Sequence, residues 1–166
     1  MLHSQNRAQK KGFTLVELLI VIGIIVILLS VVLLAVDPAK RLKQSRDSVR
    51  RQDVSDILEA IITYETDNSG SIPSGIDSTS GTYQILGTGG STGCAASSCT
   101  NVTTLSSGAC LDISSSLVPT YFASVPMDPL SGSAANTLYA VDKNSAGRII
   151  VAACVPEVAS SISLQR

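Results

Sequence analysis

The chain has 166 residues and a formal net charge of −1, and 45% of its residues are hydrophobic against 15% charged. Its single histidine, His3, lies ahead of every predicted element, and it has no tryptophan. The predicted elements therefore lack the usual general base for a Ser or Cys nucleophile and the commonest metal ligand, which argues against an enzyme and indicates no cofactor.

The first predicted element is a helix formed by an apolar run at residues 13–36. The run has 24 residues, and as a helix it measures about 36 Å, which is enough to cross a bilayer. An ordinary secretory signal has an apolar core of roughly 7 to 15 residues and carries no carboxylate there, so the run is not such a signal. The residues of the run that are not strongly apolar are Thr14, Glu17, Gly23 and Ser30.

The segment ahead of this helix, residues 1–12, is basic. It carries Arg7, Lys10 and Lys11 and no acidic residue. Because positively charged flanks stay on the cytoplasmic side, we expect a single-pass plasma-membrane protein with its amino end inside and the remainder exported.

Glu17 needs an explanation, because a carboxylate at membrane depth costs about 2.5 to 3.5 kcal/mol on insertion scales. One interpretation is that it lies close enough to the membrane edge to be hydrated. The other is that a cation pairs with it, and the apolar run supplies none. Cleavage between Gly12 and Phe13 would create an α-amino group, and the same group on a neighbouring copy would then pair with Glu17.

The residues around this cleavage point resemble the class III signal of type IV pilins and type II secretion pseudopilins. The resemblance implies that a prepilin peptidase cuts after Gly12 and methylates the new amino group of Phe13, and that Glu17 acts in assembly. The chain would then be the substrate of an enzyme. A glycine at the cleavage position has no β-carbon to keep a protease from the backbone. The matching residues are Gly12, Phe13, Thr14, Leu15 and Glu17.

Residues 37–67 are predicted to continue the helix with a different composition. Six of the twelve Lys and Arg residues lie within 40–51, and Pro38 predicts a kink or the end of the membrane part. At about 100° per residue, an apolar face begins near residue 54, so an amphipathic helix packs on the head there. We expect the basic stretch to protrude between membrane and head, and one helix to run from Phe13 to Asp67, where an Asn-Ser-Gly sequence ends it. The apolar face consists of Val54, Ile57, Leu58, Ile61 and Ile62.

The rest of the chain predicts one small head. Ser, Thr and Gly dominate the stretch after residue 69, which indicates long surface loops around a short strand at 83–86. Residues 110–117 predict either a strand or a short helix. Residues 137–142 and 148–154 flank a Lys-Asn-Ser-Ala-Gly sequence and predict a hairpin.

These elements together predict an α+β, pilin-like fold. A long amino-terminal helix, with a membrane half and an amphipathic half, packs on a small antiparallel sheet. The predicted segments are a leader at 1–12, a membrane and assembly helix at 13–36, an extended helix on the head at 37–67, and a β-rich head with Ser/Thr/Gly-rich loops at 68–166.

Four cysteines lie in the part that we expect to be exported, and four positions allow three pairings. In an oxidising compartment, a small head with little core favours disulfides over free thiols. A zinc site with four thiolates needs two close pairs, which this spacing does not give. We predict Cys94 with Cys99, closing a local loop, and Cys110 with Cys154, tying the start of the β region to its last strand.

Residues 117–132 resemble the pseudopilin pattern in which a tyrosine and a Pro-x-Asp-Pro turn precede the terminal hairpin. The alternative is an ordinary turn, since proline and aspartate mark turns in any protein. Calcium binds the carboxyl-terminal loops of major pseudopilins, which makes Asp128 and Asp142 candidate ligands. The sequence has no dense Asp/Asn cluster, however, and predicts no metal site. The positions that match the turn pattern are Tyr121, Pro126, Asp128 and Pro129.

The preferred function is that of a structural filament subunit, with three alternatives. These are a secretion-system pseudopilin, a minor or priming pilin, and a membrane-tethered binding module. Expected partners are other copies of the chain, prepilin peptidase, an inner-membrane assembly platform and membrane lipid before assembly. We expect an extracellular or periplasmic filament afterwards. From Asp53 onward the chain has ten acidic residues and three basic ones. Because an acidic head repels phosphate, this composition argues against DNA as a partner.

Overall fold

The computed structural model describes residues 12–35, 37–104 and 108–166. The chain divides into two units, with the boundary between Ala39 and Lys40. The named elements are α1 (Leu15–Ala35), α2 (Pro38–Asp67), β1 (Gln84–Ile85), a 3₁₀ turn (Ala96–Ser98), α3 (Ser114–Leu117), β2 (Tyr139–Lys143), β3 (Ile149–Ala153) and β4 (Ser163–Gln165).

Helix α1 exposes its apolar side chains. Its stretch Leu15–Leu33 is long and apolar enough to cross a membrane, and none of that stretch is buried within the protein. Leu15 is 79% exposed and Val26 is 64% exposed. Leucine, isoleucine and valine on all sides of a helix indicate burial in lipid or against other helices.

The prediction of a single helix from Phe13 to Asp67 was wrong at its centre. Helix α1 ends at Ala35 and α2 begins at Pro38, with Asp37 outside both helices. Proline has no amide to donate to the preceding turn, and it disfavours helical geometry in the residue before it, so it begins a helix more readily than it continues one.

The predicted end of α2 at Asp67 is confirmed. Ser69 has a φ of 57° and Gly70 a φ of 85°, and the Gly70 amide donates to the carbonyl oxygen of Glu65 at 2.7 Å. A left-handed residue followed by this backbone bond is the usual way to satisfy the last carbonyls of a helix.

The sheet has four antiparallel strands in the order β1-β2-β3-β4. Strands β2 and β3 form the predicted hairpin, in which Val141 lies opposite Val151. The Asn144 amide donates to the Arg148 carbonyl, and Gly147 takes a φ of 82° in the turn between the strands. Strand β4 was not predicted, because its three residues are all exposed and the run is too short for a period-two pattern to indicate a strand.

The core lies between the predicted apolar face of α2 and the sheet. Val54, Ile57 and Ile61 are fully buried, and Ile62 packs against the same cluster while partly exposed. The α+β fold class is therefore confirmed. Residues outside α2 in this core include Leu86, Leu117, Tyr139, Val141 and Val151.

Both predicted cysteine pairings were wrong, because the disulfides join Cys94 with Cys110 and Cys99 with Cys154. The Cys94 amide donates to the Gly108 carbonyl and the Cys110 amide to the Gly90 carbonyl, so the two loop segments run side by side. The Cα atoms of Cys94 and Cys110 lie 5.0 Å apart. The 3₁₀ turn then directs Cys99 to the end of β3, which brings its Cα atom within 4.3 Å of that of Cys154.

Candidate functional site

The start of α1 is organised by Thr14 and Glu17. The amide and the hydroxyl of Thr14 both donate to Oε2 of Glu17, each at 2.8 Å, and the Glu17 amide donates to the Thr14 hydroxyl at 3.2 Å. This is a reciprocal capping box, in which the residue before the helix and the third helical residue satisfy each other's amides. Glu17 thus fixes the first turn within its own chain.

This capping role of Glu17 was not predicted from the sequence. The signal was present, because Thr14 and Glu17 have the Thr-x-x-Glu spacing of a capping box directly before an apolar run. The pairing of Glu17 with the Phe13 amine of another copy stays a prediction.

The bond predicted to be cut lies immediately before this capped turn. Gly12 is exposed and Phe13 is 92% exposed. Apart from its two chain neighbours, a Cβ added at Gly12 would have no atom of the described residues within 4 Å. The described part of the fold therefore places no constraint on a side chain at Gly12. The basic residues Arg7, Lys10 and Lys11 lie outside the described residues.

A second polar site lies where α2 meets the head, and it corrects the expectation that the basic stretch protrudes, because Arg46 and Arg50 pack against the head while the other four cations of the stretch are exposed. Arg50 is completely buried, and its guanidinium donates to both carboxylate oxygens of Asp128, at 2.6 and 3.2 Å. It also donates to Asp47 at 2.9 Å and to Glu157 at 3.1 Å. Three carboxylates surround one guanidinium because a buried charge is tolerated only when it is paired and hydrogen-bonded.

Arg46 extends this charged cluster toward the surface. Its guanidinium donates to the two carboxylate oxygens of Glu157 at 2.5 and 2.7 Å. Hydrogen bonds from Arg46 and then from Arg50 outweigh partial burial and lower the pKa of Glu157 to about 2. Glu157 therefore stays ionised throughout the ordinary pH range. We call Arg46, Asp47, Arg50, Asp128 and Glu157 the charged cluster.

Asp47 ties the loop after β3 to α2. Its carboxylate accepts the amides of Glu157, Val158 and Ala159 at 2.8 to 2.9 Å. Burial raises the pKa of this carboxyl, but the three amides and the Arg50 guanidinium together hold it well below its usual value. Asp47 thus anchors the segment as an anion.

Asp128 shapes the Pro-x-Asp-Pro turn and closes it onto α2. Its Oδ1 accepts the amides of Leu130 and Ser131 at 2.9 and 3.1 Å, while Arg50 bonds both oxygens. Asp142 accepts the Gly81 amide at 2.9 Å, and its other oxygen is buried without a partner. Within the described parts of the chain, no group of three or more His, Cys, Asp or Glu residues could hold a metal ion.

Tyr139 makes a further polar contact between α2 and the sheet. Its hydroxyl donates to Asp53 at 2.5 Å, and the ring is fully buried. The pKa of Tyr139 is raised well above its usual value, mainly by burial and secondly by the hydrogen bond to the Asp53 carboxylate. Burial also raises the pKa of Asp53, more than the tyrosine hydroxyl lowers it.

Residues 7–33 match the family described as the prokaryotic N-terminal methylation motif, which is the class III signal of type IV pilins and pseudopilins. The match begins ahead of α1 and covers most of that helix, and it includes Gly12, Phe13 and Glu17. It does not extend to α2 or the sheet. No curated protein and no solved structure gives a significant match to the chain.

Proposed function

We propose that the chain is a structural subunit of a type IV pilus or a related filament, processed by prepilin peptidase and polymerised through α1. The observation that carries this proposal is the methylation motif at residues 7–33 together with the exposed apolar helix stretch Leu15–Leu33. A surface of this kind is normally covered by lipid or by other helices. The same helix therefore serves as a membrane anchor before assembly and as a packing surface afterwards.

The proposed processing consists of two reactions at the start of α1. Water hydrolyses the peptide bond between Gly12 and Phe13, leaving a carboxylate on the glycine and a free amine on the phenylalanine. A methyl donor then transfers one methyl group to that amine. The amine keeps its positive charge after monomethylation and pairs with Glu17 of a neighbouring copy, which relieves the cost of the carboxylate in an apolar surrounding.

A pseudopilin of a type II secretion system is the second candidate. The turn at Pro126–Pro129 supports it, since its aspartate closes the terminal loops onto α2 through Arg50. In either case the partners are other copies of the chain, prepilin peptidase and an inner-membrane assembly platform. The chain crosses the plasma membrane once, with its amino end inside, and moves into an extracellular or periplasmic filament.

Intact mass and amino-terminal sequencing of the chain from membranes and from sheared surface filaments test the proposal. We expect a chain that begins at Phe13 and carries one additional methyl group. Its presence in the sheared fraction supports a pilus subunit, and its restriction to membranes supports a pseudopilin or a minor subunit. An unprocessed chain in both fractions contradicts the proposal.

Replacing Gly12 by valine isolates the cleavage step. Because a Cβ at this position meets no atom of the described residues beyond its chain neighbours, the variant should fold and insert normally yet accumulate as an unprocessed precursor. Gly23→Ala is the matched control, since a Cβ at Gly23 is equally free of contacts within the chain. That control should be processed like the wild type. Normal processing of Gly12→Val would place the cleavage site elsewhere.

A further inference from the structure

Helix α2 is divided by charge along its length. Between residues 40 and 51 it carries six cations and one acid, Asp47, and between residues 53 and 67 it carries five acids and no cation. Arg46, Asp47 and Arg50 belong to the charged cluster against the head. Outside that cluster, the exposed cations are Lys40, Arg41, Lys43 and Arg51, and acids that remain at least partly accessible at the other end are Asp56, Glu59, Glu65 and Asp67.

This order of charges opposes the helix macrodipole. The amino end of a helix favours anions and its carboxyl end favours cations, but the first turn of α2 has no acid and the last turn no base. Arg41 is an exposed cation at the end where cations are unfavourable. Its charge therefore gains nothing from the helix dipole and is available to a partner.

Opposite charges also share the outward face of α2. Arg41 and Glu59 are both exposed, and at 3.6 residues per turn they lie about five turns and 27 Å apart on one line of the helix. Two exposed apolar side chains, Leu42 at 61% and Val49 at 44%, lie on one side of that line, about 80 to 100° around the helix. Charges of both signs with apolar residues beside them are the composition of a contact surface.

We propose that the outward face of α2 binds the same face of a second copy that is displaced along the helix by about five turns. This inference rests on the proposed filament function. It specifies how far neighbouring subunits are displaced along the helix direction. In a filament built by one repeated rotation and translation, all copies point the same way along the axis. Two parallel α2 helices at equal height would oppose like charges, whereas a displacement of about 27 Å brings Arg41 of one copy to Glu59 of the next.

The test uses charge reversals in the full chain, with the amount of sheared filament measured against the amount of processed subunit in the cells. Arg41→Glu and Glu59→Arg should each reduce the filament fraction about five-fold, since each turns an attraction into a repulsion. The double variant should recover most of the loss, because it restores opposite charges with the signs exchanged. Arg148→Glu makes the same charge change on the exposed hairpin turn and should assemble normally.

Unfolding is separated from assembly by the same variants. Arg41→Glu places an acid in the first turn of α2, so the thermal midpoint of the detergent-solubilised subunit should stay level or rise while assembly falls. Single variants that assemble like the wild type overturn the proposal. A double variant whose filament fraction is no higher than that of the poorer-assembling single variant also overturns the proposal. So does an assembly defect confined to Arg41→Glu, which would indicate anionic lipid as the partner. A wild-type chain that stays unprocessed and forms no filaments would instead contradict the proposed function.

Discussion

Glu17 meets two different requirements with one carboxylate. Within the chain it caps α1 through Thr14, and in the proposed filament its negative charge pairs with the amine of Phe13. The capping role needs an acceptor at this position and tolerates glutamine as well as glutamate. The pairing role needs the charge, so substitution can separate the two roles.

We predict that Glu17→Gln inserts and is processed normally but does not assemble. Glutamine preserves the cap and removes the charge that attracts the Phe13 amine. Thr14→Ala has the complementary effect, because it weakens the helix start by about 0.5 to 2 kcal/mol and leaves the carboxylate in place. Sheared filament measured beside processed membrane subunit distinguishes the variants. Full assembly of Glu17→Gln would show that Glu17 acts only as a cap.

Arg50 is the residue whose loss should damage the head most. Arg50→Met fills a similar volume but leaves Asp47 and Asp128 buried without their cation, which should lower the free energy of unfolding by about 3 to 5 kcal/mol. Arg51→Met is the neighbouring control, since Arg51 is exposed and its loss should change stability by no more than about 0.5 kcal/mol. Urea unfolding followed by tyrosine fluorescence gives both values, and equal effects would contradict the role assigned to the charged cluster.

At the scale of elements, the charged cluster fastens α2 to two loops that are distant in sequence. Arg50 holds the turn at Asp128, and Asp47 holds the amides of residues 157–159. The apolar face of α2 packs on the sheet farther along the helix. Helix α2 is therefore attached to the head by ionic contacts in its first half and by apolar contacts in its second half.

The ionic half of this attachment should be sensitive to acid. The folded protein lowers the pKa of Glu157 from 4.5 to about 2, and it also lowers the pKa of Asp47. Groups with a depressed pKa in the folded state stabilise it above their usual pKa and lose that effect as the pH falls. The free energy of unfolding should thus begin to fall near pH 4.5 and continue falling toward pH 2.

Equilibrium unfolding at a series of pH values measures this effect. Glu157→Gln should flatten the acid limb, because the residue no longer titrates. Asp53 has the opposite effect on the free energy of unfolding, because its raised pKa stabilises the folded state as the pH falls. Asp53→Asn should therefore make the loss of stability in acid steeper. An acid limb unchanged by Glu157→Gln would exclude this residue as a source of the pH dependence.

The elements that sequence could predict are those with a local signal. The apolar run, the face containing Val54 and Ile61, and the turn between β2 and β3 follow from composition and periodicity, and all three are confirmed. The charged cluster was missed because a buried arginine looks like a solvated one until its partners, 78 and 107 positions away, are known. The cysteine pairing failed for the same reason, since it depends on how the loops fold back on the sheet.

On the scale of the whole molecule, the chain joins two units with different requirements. All side chains classed as buried among the described residues lie between Asp47 and Ile162, and none belongs to α1. The unit from Lys40 to Arg166 thus has its own core and both disulfides. The described side chains of α1 are not among the buried residues of that core and form an exposed apolar surface.

We therefore predict that a chain of residues 37–166, produced in an oxidising compartment, is a soluble monomer with the fold of the full head. Its urea midpoint should equal that of the head in the detergent-solubilised full chain, and mass analysis should find no free thiol. It should not enter filaments, because α1 supplies the packing surface. Arg50→Met in the same fragment should reduce its stability as in the full chain. A fragment that aggregates or unfolds at lower urea would show that α1 stabilises the head, contrary to the separate core described above.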